Sequence, residues 1–345
     1  MPETDARLAV IREWLSHDLR LAHERLLPAS SDASFRRYFR VFTPRGTYIV
    51  MDAPPGKEDV RPYLKVGALL GALGAHVPQV HESDIVRGLL LLEDLGTTAY
   101  LQRLEAACDP EPLYADALAV LADIQVQGRD AARELAPYDR AELSRELLLM
   151  PEWFCRRHLG FEPSAAEQEM LAQTFEFLIS AALAQPQVFV HRDYHSRNLM
   201  VVPERNPGII DFQDALRGPI GYDLVSLLKD CYISWPRARV EGWVRAYRSA
   251  LMARAVATAD EAQFLRDFDL IGVQRHLKVL GIFARLWHRD GKRGYLLDLP
   301  RTLDYVLDTC ARYDELAALG DFLERRAASE LPRANARVVA SAARA

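Results

Sequence analysis

The stretch from Gln187 to Asp211 constrains this chain more than any other. Three short apolar runs, Val188-Phe189-Val190, Leu199-Met200-Val201-Val202 and Gly208-Ile209-Ile210, alternate with polar loops in a region otherwise patterned as helix. Runs this short, bounded by polar residues, read as strands. Small strands set among helices hold loops in place, and these loops carry carboxylates and an amide. One is His191-Arg192-Asp193-Tyr194-His195-Ser196-Arg197-Asn198; the next opens at Asp211-Phe212-Gln213. The strand ends are thus expected to present Asp193, Asn198 and Asp211.

The flanks differ from each other. From Thr97 to Gln185 apolar residues recur at helical spacing, as in Leu113, Ala117, Leu118, Leu121 and Ile124, and helices resume after Asp211 to about Arg326. The first part begins with Leu8, Ile11, Leu15 and Leu19 at helical spacing. It continues with two aromatic and β-branched segments, Phe35 to Phe42 and Thr47 to Met51, joined by Thr43-Pro44-Arg45-Gly46 as a hairpin. Pro54, Pro55 and Gly56 break the chain before a helical stretch from about Val60 to Leu73, and Pro78 to Glu82 and Ile85 to Leu92 read as two more strands. The pattern predicts an α+β fold of two lobes. Residues 1–95 form a small lobe with an antiparallel sheet, 96–330 a larger, mostly helical lobe, and 331–345 a frayed tail.

Composition narrows the function. Half of the 345 residues are hydrophobic, enough for a sizeable core. With 43 Lys and Arg against 48 Asp and Glu, the net charge of −5 argues against a nucleic-acid-binding body and for a small ligand. Apolar runs such as Gly88 to Leu92 fall far short of the ~20 residues that span a bilayer. Glu3 and Asp5, with no apolar stretch behind them, do not read as a secretory signal. Cys108, Cys155, Cys231 and Cys310 form no CxxC pair, so neither a zinc knuckle nor a disulfide framework is expected, and a reducing, cytoplasmic setting fits.

In-line phosphoryl transfer needs a carboxylate beside the attacking hydroxyl and hard oxygen donors for magnesium. Asp193 supplies the first as catalytic base; Asn198 and Asp211 supply the second as metal ligands. Their spacing matches the kinase pattern HRDxxxxN with a later Asp-Phe. The bland alternative is an Asp-rich loop that caps helices, but spacing, flanking strands and the downstream Ile-Asp-Phe agree on catalysis. His191 reads as a packed loop histidine, because Asp193 already fills the role of base.

In the first lobe, the small residues Ser30 to Ser34 precede the hairpin. Backbone N–H groups at Ser31, Ala33 and Ser34 are expected to approach ATP phosphates, although this is no GxGxxG and otherwise reads as a Ser/Asp turn. Arg36, Arg37 and Arg40 add charge nearby, with a solvated strand face as the alternative for Arg36 and Arg40. Leu91 to Gly96 ends a strand where a hinge should fall, and backbone groups of Glu93 and Leu95 are expected to pair with adenine.

These residues resemble the aminoglycoside phosphotransferase and choline-kinase-like superfamily and, within it, the anomeric amino-sugar kinases of bacterial cell-wall recycling. The catalytic segment carries the first likeness. Ser31 to Phe39, Tyr48 to Pro55, Asp211 to Ala215 and Gln274-Arg275-His276-Leu277-Lys278 carry the second. The resemblance implies a protein-kinase-like fold, ATP and Mg2+ as cofactors, and phosphorylation of the C1 hydroxyl of N-acetylmuramate and N-acetylglucosamine. The product would be the α-1-phosphate, ready for nucleotidyl transfer. The expected partners are the sugar and ATP, with neither nucleic acid nor membrane, and the chain is expected to be a monomer.

Asp214, Arg217 and Asp223 follow the metal aspartate, where residues lining a sugar pocket would lie. Asp223, at a helix start, reads as structural. Arg275, His276, Lys278, Arg285 and His288 share a late helix; Arg275 and Arg285 suit a sugar carboxylate, against the alternative of a solvated basic face. The chain departs from the kinase pattern where the strand Tyr48-Ile49-Val50-Met51-Asp52 has no lysine and the following helix no glutamate. Arg36, Arg37 or Arg40 is the expected substitute for that charge. Gln213 in place of glycine implies a fixed metal site. Two other functions are compatible with the same fold: an aminoglycoside- or choline-type kinase, disfavoured by arginines where a polycation would bind, and an inactive nucleotide-binding scaffold.

Overall fold

Aromatic, β-branched and leucine-rich segments of the first part build an antiparallel sheet. In the computed structural model, residues 5–31, 35–254, 256 and 258–342 are described. They contain nine strands: β1 (Arg25–Ser31), β2 (Arg37–Thr43), β3 (Gly46–Asp52), β4 (Val80–Asp84), β5 (Leu89–Glu93), β6 (Gln187–Val190), β7 (Leu199–Met200), β8 (Gly208–Ile209) and β9 (Leu216–Pro219). By its contacts the chain divides into two compact units, Met1–Asp116 with Arg197–Asp214, and Ala117–Ser196 with Ala215–Ala345.

In the first unit five strands pair antiparallel in the order β1-β2-β3-β5-β4. Register places Phe39 opposite Val50 and Val50 opposite Leu91, so these three side chains share one face. Ile11, Trp14 and Leu15 of the N-terminal helical segment pack on that face, and all are buried. Each such side chain contributes roughly 1.5–3 kcal/mol by leaving water. β1 was not expected, because Pro28 removes a ladder donor; it sits at the sheet edge with an irregular register between Pro28 and Ser30, where proline is tolerated. Ile85 to Gly88 turns instead of extending: Gly88 has φ +69°, and a Cβ there would overlap the Ala53 carbonyl.

The helix Arg61–Ala72 starts with a proline in its first turn and buries Tyr63, Val66 and Leu70. The hairpin β7-β8 joins the same unit: Val201 N–H donates to the Thr98 carbonyl at 2.8 Å and Ile209 N–H to that of His76 at 2.7 Å. Asn198 and Asp211 are therefore anchored in this unit.

The second unit is mostly helical, with β6 and β9 as an antiparallel pair. β9, Leu-Arg-Gly-Pro, carries no strand signal in its sequence. The 28-residue helix Glu261–His288 starts at Asp260, whose side chain accepts the Gln263 N–H at 2.9 Å. It is buried on several faces, including Val273, Leu277, Leu280 and Ala284. The Ala/Arg-rich end, expected as a frayed tail, forms the helix Leu331–Ala342 and buries Leu331, Ala334 and Val338. Among the described residues no helix is long and apolar enough to cross a membrane.

Candidate active site

The loop after β6 is held from beneath by two carboxylates. Asp223, in the first turn of the helix Gly221–Leu228, accepts the N–H groups of His191 at 2.7 Å and Arg192 at 2.9 Å. Asp230 accepts the Ser196 N–H at 3.0 Å and the Ser196 hydroxyl. Between these anchors Tyr194 donates its hydroxyl to the Ala117 carbonyl at 2.9 Å, and the Asp193 N–H bonds His191 Nδ1 at 3.2 Å. His191 is thus a buried, bonded loop histidine. Arg192 takes φ +79°, a strained conformation that costs ~1–3 kcal/mol and persists only where surroundings over-determine it.

Those surroundings are ionic. The Arg192 guanidinium pairs with Glu146 and, at 3.2 Å, with Glu142. Its carbonyl accepts from Arg275 at 2.9 Å. Glu146 is buried and also takes Lys278 at 2.8 Å and the Tyr138 hydroxyl. Burial alone would raise its carboxyl, but Lys278 and Arg192 hold it down to about 2.

Asp193 projects from this frame with its side chain 41% exposed, and Arg275 lies 3.9 Å from its carboxylate. Desolvation pushes the carboxyl up; Arg275, Lys278, His195 and Arg192 outweigh it and bring it to about 2. The group is ionised throughout the neutral range. Asp223 goes the other way: burial raises it to about 7 despite the two backbone N–H groups and Arg275.

In the first unit, Asn198 Nδ2 lies 3.4 Å from Asp211 Oδ2, and the Asn198 carbonyl accepts the Ile210 N–H at 3.0 Å. Asp211 has φ +63°, a second strained residue at a candidate site residue. Its other oxygen accepts from Gln213 Nε2 at 2.9 Å and lies 3.5 Å from the Arg36 guanidinium. Phe212 is buried against Tyr63, with ring centroids 4.6 Å apart, and a Cβ on Gly67 would come within 3.3 Å of it. A carboxylate and an amide carbonyl are hard donors that suit magnesium, which commonly takes one or two protein ligands and fills its remaining positions with water and phosphate oxygens. The described residues include no group of three or more His, Cys, Asp or Glu able to hold a metal.

The three hairpin arginines separate clearly. Arg37 bonds Asp52 at 2.6 Å and Asp5 at 2.5 Å; Arg40 bonds Asp94 at 2.6 Å and the Gly96 carbonyl at 2.8 Å. Arg36, with its side chain 10% exposed, is the one of these three that approaches Asp211. Ser31 ends β1 opposite Arg37, whereas Ala33 and Ser34 lie outside the described residues. Glu93 ends β5, and its carboxylate accepts from Gln79 N–H at 3.1 Å and contacts His76 at 3.2 Å; Leu95 is buried.

The residues expected at the sugar divide. Asp214 is exposed and accepts from Gln213 at 3.1 Å. Arg217 lines a cavity of about 530 Å³ with Arg129, Arg133, Val188 and Leu251, whose lining includes no residue of the catalytic loop. Arg275, His276 and Lys278 are buried, so this part of the late helix is not a solvated basic face. Arg285 is half-buried. Sequence reasoning passed over Glu146 and Asp230: nothing local distinguishes a carboxylate that will be buried under a loop from one on a helix surface.

With this geometry in hand, the chain matches the model of a family described as "Phosphotransferase enzyme family" over residues 25–265. It is 45% identical to the N-acetylmuramate/N-acetylglucosamine kinase of Pseudomonas putida over 94% of this chain and 97% of that protein. It is 48% identical to the protein of the same name from Pseudomonas aeruginosa over 86% and 87%. Among solved structures, the choline kinase LicA from Streptococcus pneumoniae superposes with a TM-score of 0.62 at 14% identity, covering 89% of this chain and 99% of that one. ADP-bound aminoglycoside phosphotransferase APH(2'')-Ib gives 0.55 at 14%, over 87% and 97%. The fold is protein-kinase-like, as the resemblance implied.

Proposed function

Because the chain belongs to the phosphotransferase enzyme family, we propose that it is an ATP-dependent kinase that phosphorylates the C1 hydroxyl of N-acetylmuramate and N-acetylglucosamine, giving the α-1-phosphate. The observation that carries this reading is near-full-length identity of 45% to a kinase named for those two sugars. The free thiols of its four cysteines fit the reducing, ATP-containing cytoplasm.

In this reading Asp193 accepts a hydrogen bond from the sugar C1 hydroxyl and orients its oxygen at the γ-phosphorus. The new O–P bond forms as the bond from the γ-phosphorus to the β,γ-bridging oxygen breaks, ADP leaves, and the hydroxyl proton passes to Asp193. A carboxylate held near 2 is a weak base, so its main contribution is orientation, with proton transfer following once the oxygen is bonding to phosphorus. Arg275 balances the carboxylate charge from behind. Asn198 and Asp211 would hold magnesium, which when bound neutralises charge on the phosphates. Arg36 takes the place of the strand lysine as the phosphate-facing cation, and backbone groups of Glu93 and Leu95 pair with adenine. Backbone N–H groups around Ser31, Ala33 and Ser34 approach the phosphates. The first unit thus serves the nucleotide, and the second supplies the base and the sugar contacts.

The test is ADP release measured over N-acetylmuramate, N-acetylglucosamine, choline and kanamycin, followed by phosphorus NMR of the product. Phosphorus coupled to the sugar H1 supports the reading. Turnover confined to choline or kanamycin, or a 6-phosphate product, rejects it.

A further inference from the structure

Four arginines have a buried Nε with no hydrogen-bond partner among the described residues: Arg192, Arg275, Arg285 and Arg326. Three have an acceptor at hand, Arg192 and Arg275 through other nitrogens and Arg326 through an ion pair at its Nε. Arg192 holds Glu146 and Glu142, Arg275 holds the Arg192 carbonyl, and Arg326 lies 3.6 Å from Glu167. Arg285 differs: among the described residues its side chain makes no ion pair or hydrogen bond. The carboxylate that acts on it, Asp290, is already engaged by Arg289 at 2.8 and 2.9 Å. Arg145 and Arg289 add positive charge around it, and burial lowers its pKa. A partly desolvated guanidinium in a positive neighbourhood is costly unless an anion arrives from outside.

Position indicates which anion. Arg275, Lys278 and Arg285 lie on one helix, Glu261–His288. Lys278 and Arg285, two turns apart, project from nearly the same face. Arg275 is neutralised by Asp193 and Lys278 by Glu146; only the third cation of the series lacks a protein carboxylate. Arg275 and Arg285 are ~15 Å apart along the helix axis, and Arg275 is committed to the Arg192 carbonyl and Asp193, so the acidic arm of a sugar held at Asp193 has Arg285 as the cation left to meet it. The two sugars in the relatives' name differ in charge: N-acetylmuramate carries a lactyl carboxylate and N-acetylglucosamine none. A cation that no protein carboxylate has claimed would meet a charge on the first sugar and nothing on the second.

We propose that Arg285 receives the lactyl carboxylate of N-acetylmuramate and sets the preference for this acidic sugar over its neutral counterpart. The proposal rests on the reading of the chain as an amino-sugar kinase.

The experiment compares kcat and KM for both sugars in the wild type, Arg285→Gln and Arg285→Lys, at low and high salt, with melting temperature as a check on folding. Loss of one charge-assisted contact should lower the ratio of kcat/KM for N-acetylmuramate over N-acetylglucosamine about tenfold or more in Arg285→Gln, through KM. Arg285→Lys should restore part of it. In the wild type, salt should raise KM for the acidic sugar alone. An unchanged ratio in a folded Arg285→Gln overturns the assignment while leaving the kinase reading in place. If the wild type turns over neither sugar, the kinase reading fails and this inference with it.

Discussion

The guanidinium of Arg36 lies 3.5 Å from the carboxylate of Asp211, inside the same structural unit, while its neighbours Arg37 and Arg40 are committed to Asp52 and Asp94. This ties a cation of the hairpin to a proposed magnesium ligand in a chain whose third strand has no lysine. Arg36→Ala should raise KM for ATP about tenfold, the equivalent of one charge-assisted contact, and leave KM for the sugar unchanged. Arg40→Ala should alter melting temperature more than KM for ATP. Steady-state kinetics with ATP and sugar varied separately checks both.

Asp193→Asn keeps the shape of the side chain and removes its charge. Turnover should fall by ~10²–10⁴-fold, the usual contribution of a positioned base, while nucleotide affinity measured by calorimetry stays close to wild type. An inactive scaffold would show no change in turnover on this substitution.

The pH profile should separate Asp193 from the carboxylate beneath its loop, Asp223. Asp193, at about 2, contributes no inflection between pH 5 and 8. Asp223, raised to about 7 by burial, does. As pH falls through that value Asp223 takes up a proton and weakens as acceptor for the His191 and Arg192 N–H groups, so kcat should decline on the acid side of 7. Asp223→Asn should lose this inflection, which a kcat profile from pH 5 to 9 will register.

How much of this was legible from sequence depended on distance along the chain. The strands β2 and β3 and the helix Arg61–Ala72 announce themselves through local period and breakers. Asp193, Asn198 and Asp211 stand out by spacing for the same reason. The partner of Arg36 could not be read, since three arginines within five positions look alike until a fold assigns each a carboxylate. Glu146 was equally hidden: the helix Arg140–Leu147 reads Arg-Ala-Glu-Leu-Ser-Arg-Glu-Leu, the pattern of a solvated surface. β1 was masked by Pro28, whose cost at a sheet edge is small.

Glu146 neutralises two buried or half-buried cations, Arg192 and Lys278. Glu146→Gln would leave Lys278 without its carboxylate and Arg192 with Glu142 alone, and breaking a buried pair from one side costs roughly 3–5 kcal/mol. Its folded pKa is depressed to about 2, so its stabilising contribution is complete above the ordinary glutamate value and disappears as pH falls through about 2. Denaturant unfolding should therefore show a large loss for Glu146→Gln at pH 7 and a smaller difference from wild type near pH 3.

Gly281 tests the long helix itself. In a solvated helix, replacing glycine with alanine stabilises by about 1 kcal/mol, because alanine restricts the unfolded chain and has the higher helix propensity. Here the opposite sign is expected. A Cβ at Gly281 would lie 2.5 Å from the Leu149 carbonyl oxygen and 2.6 Å from the Leu149 Cβ. The first is backbone and has no rotamer by which to move aside. The helix Glu261–His288 would have to lift away from Leu149, and it carries Arg275, Lys278 and Arg285 with it. Overpacking of this kind costs typically 1–3 kcal/mol, enough to outweigh the propensity gain. Gly281→Ala should thus lower the melting temperature, and because Arg275 braces the Arg192 carbonyl, it should also reduce kcat by more than it changes KM for ATP. A variant more stable than wild type would mean that the helix and Leu149 do not approach this closely.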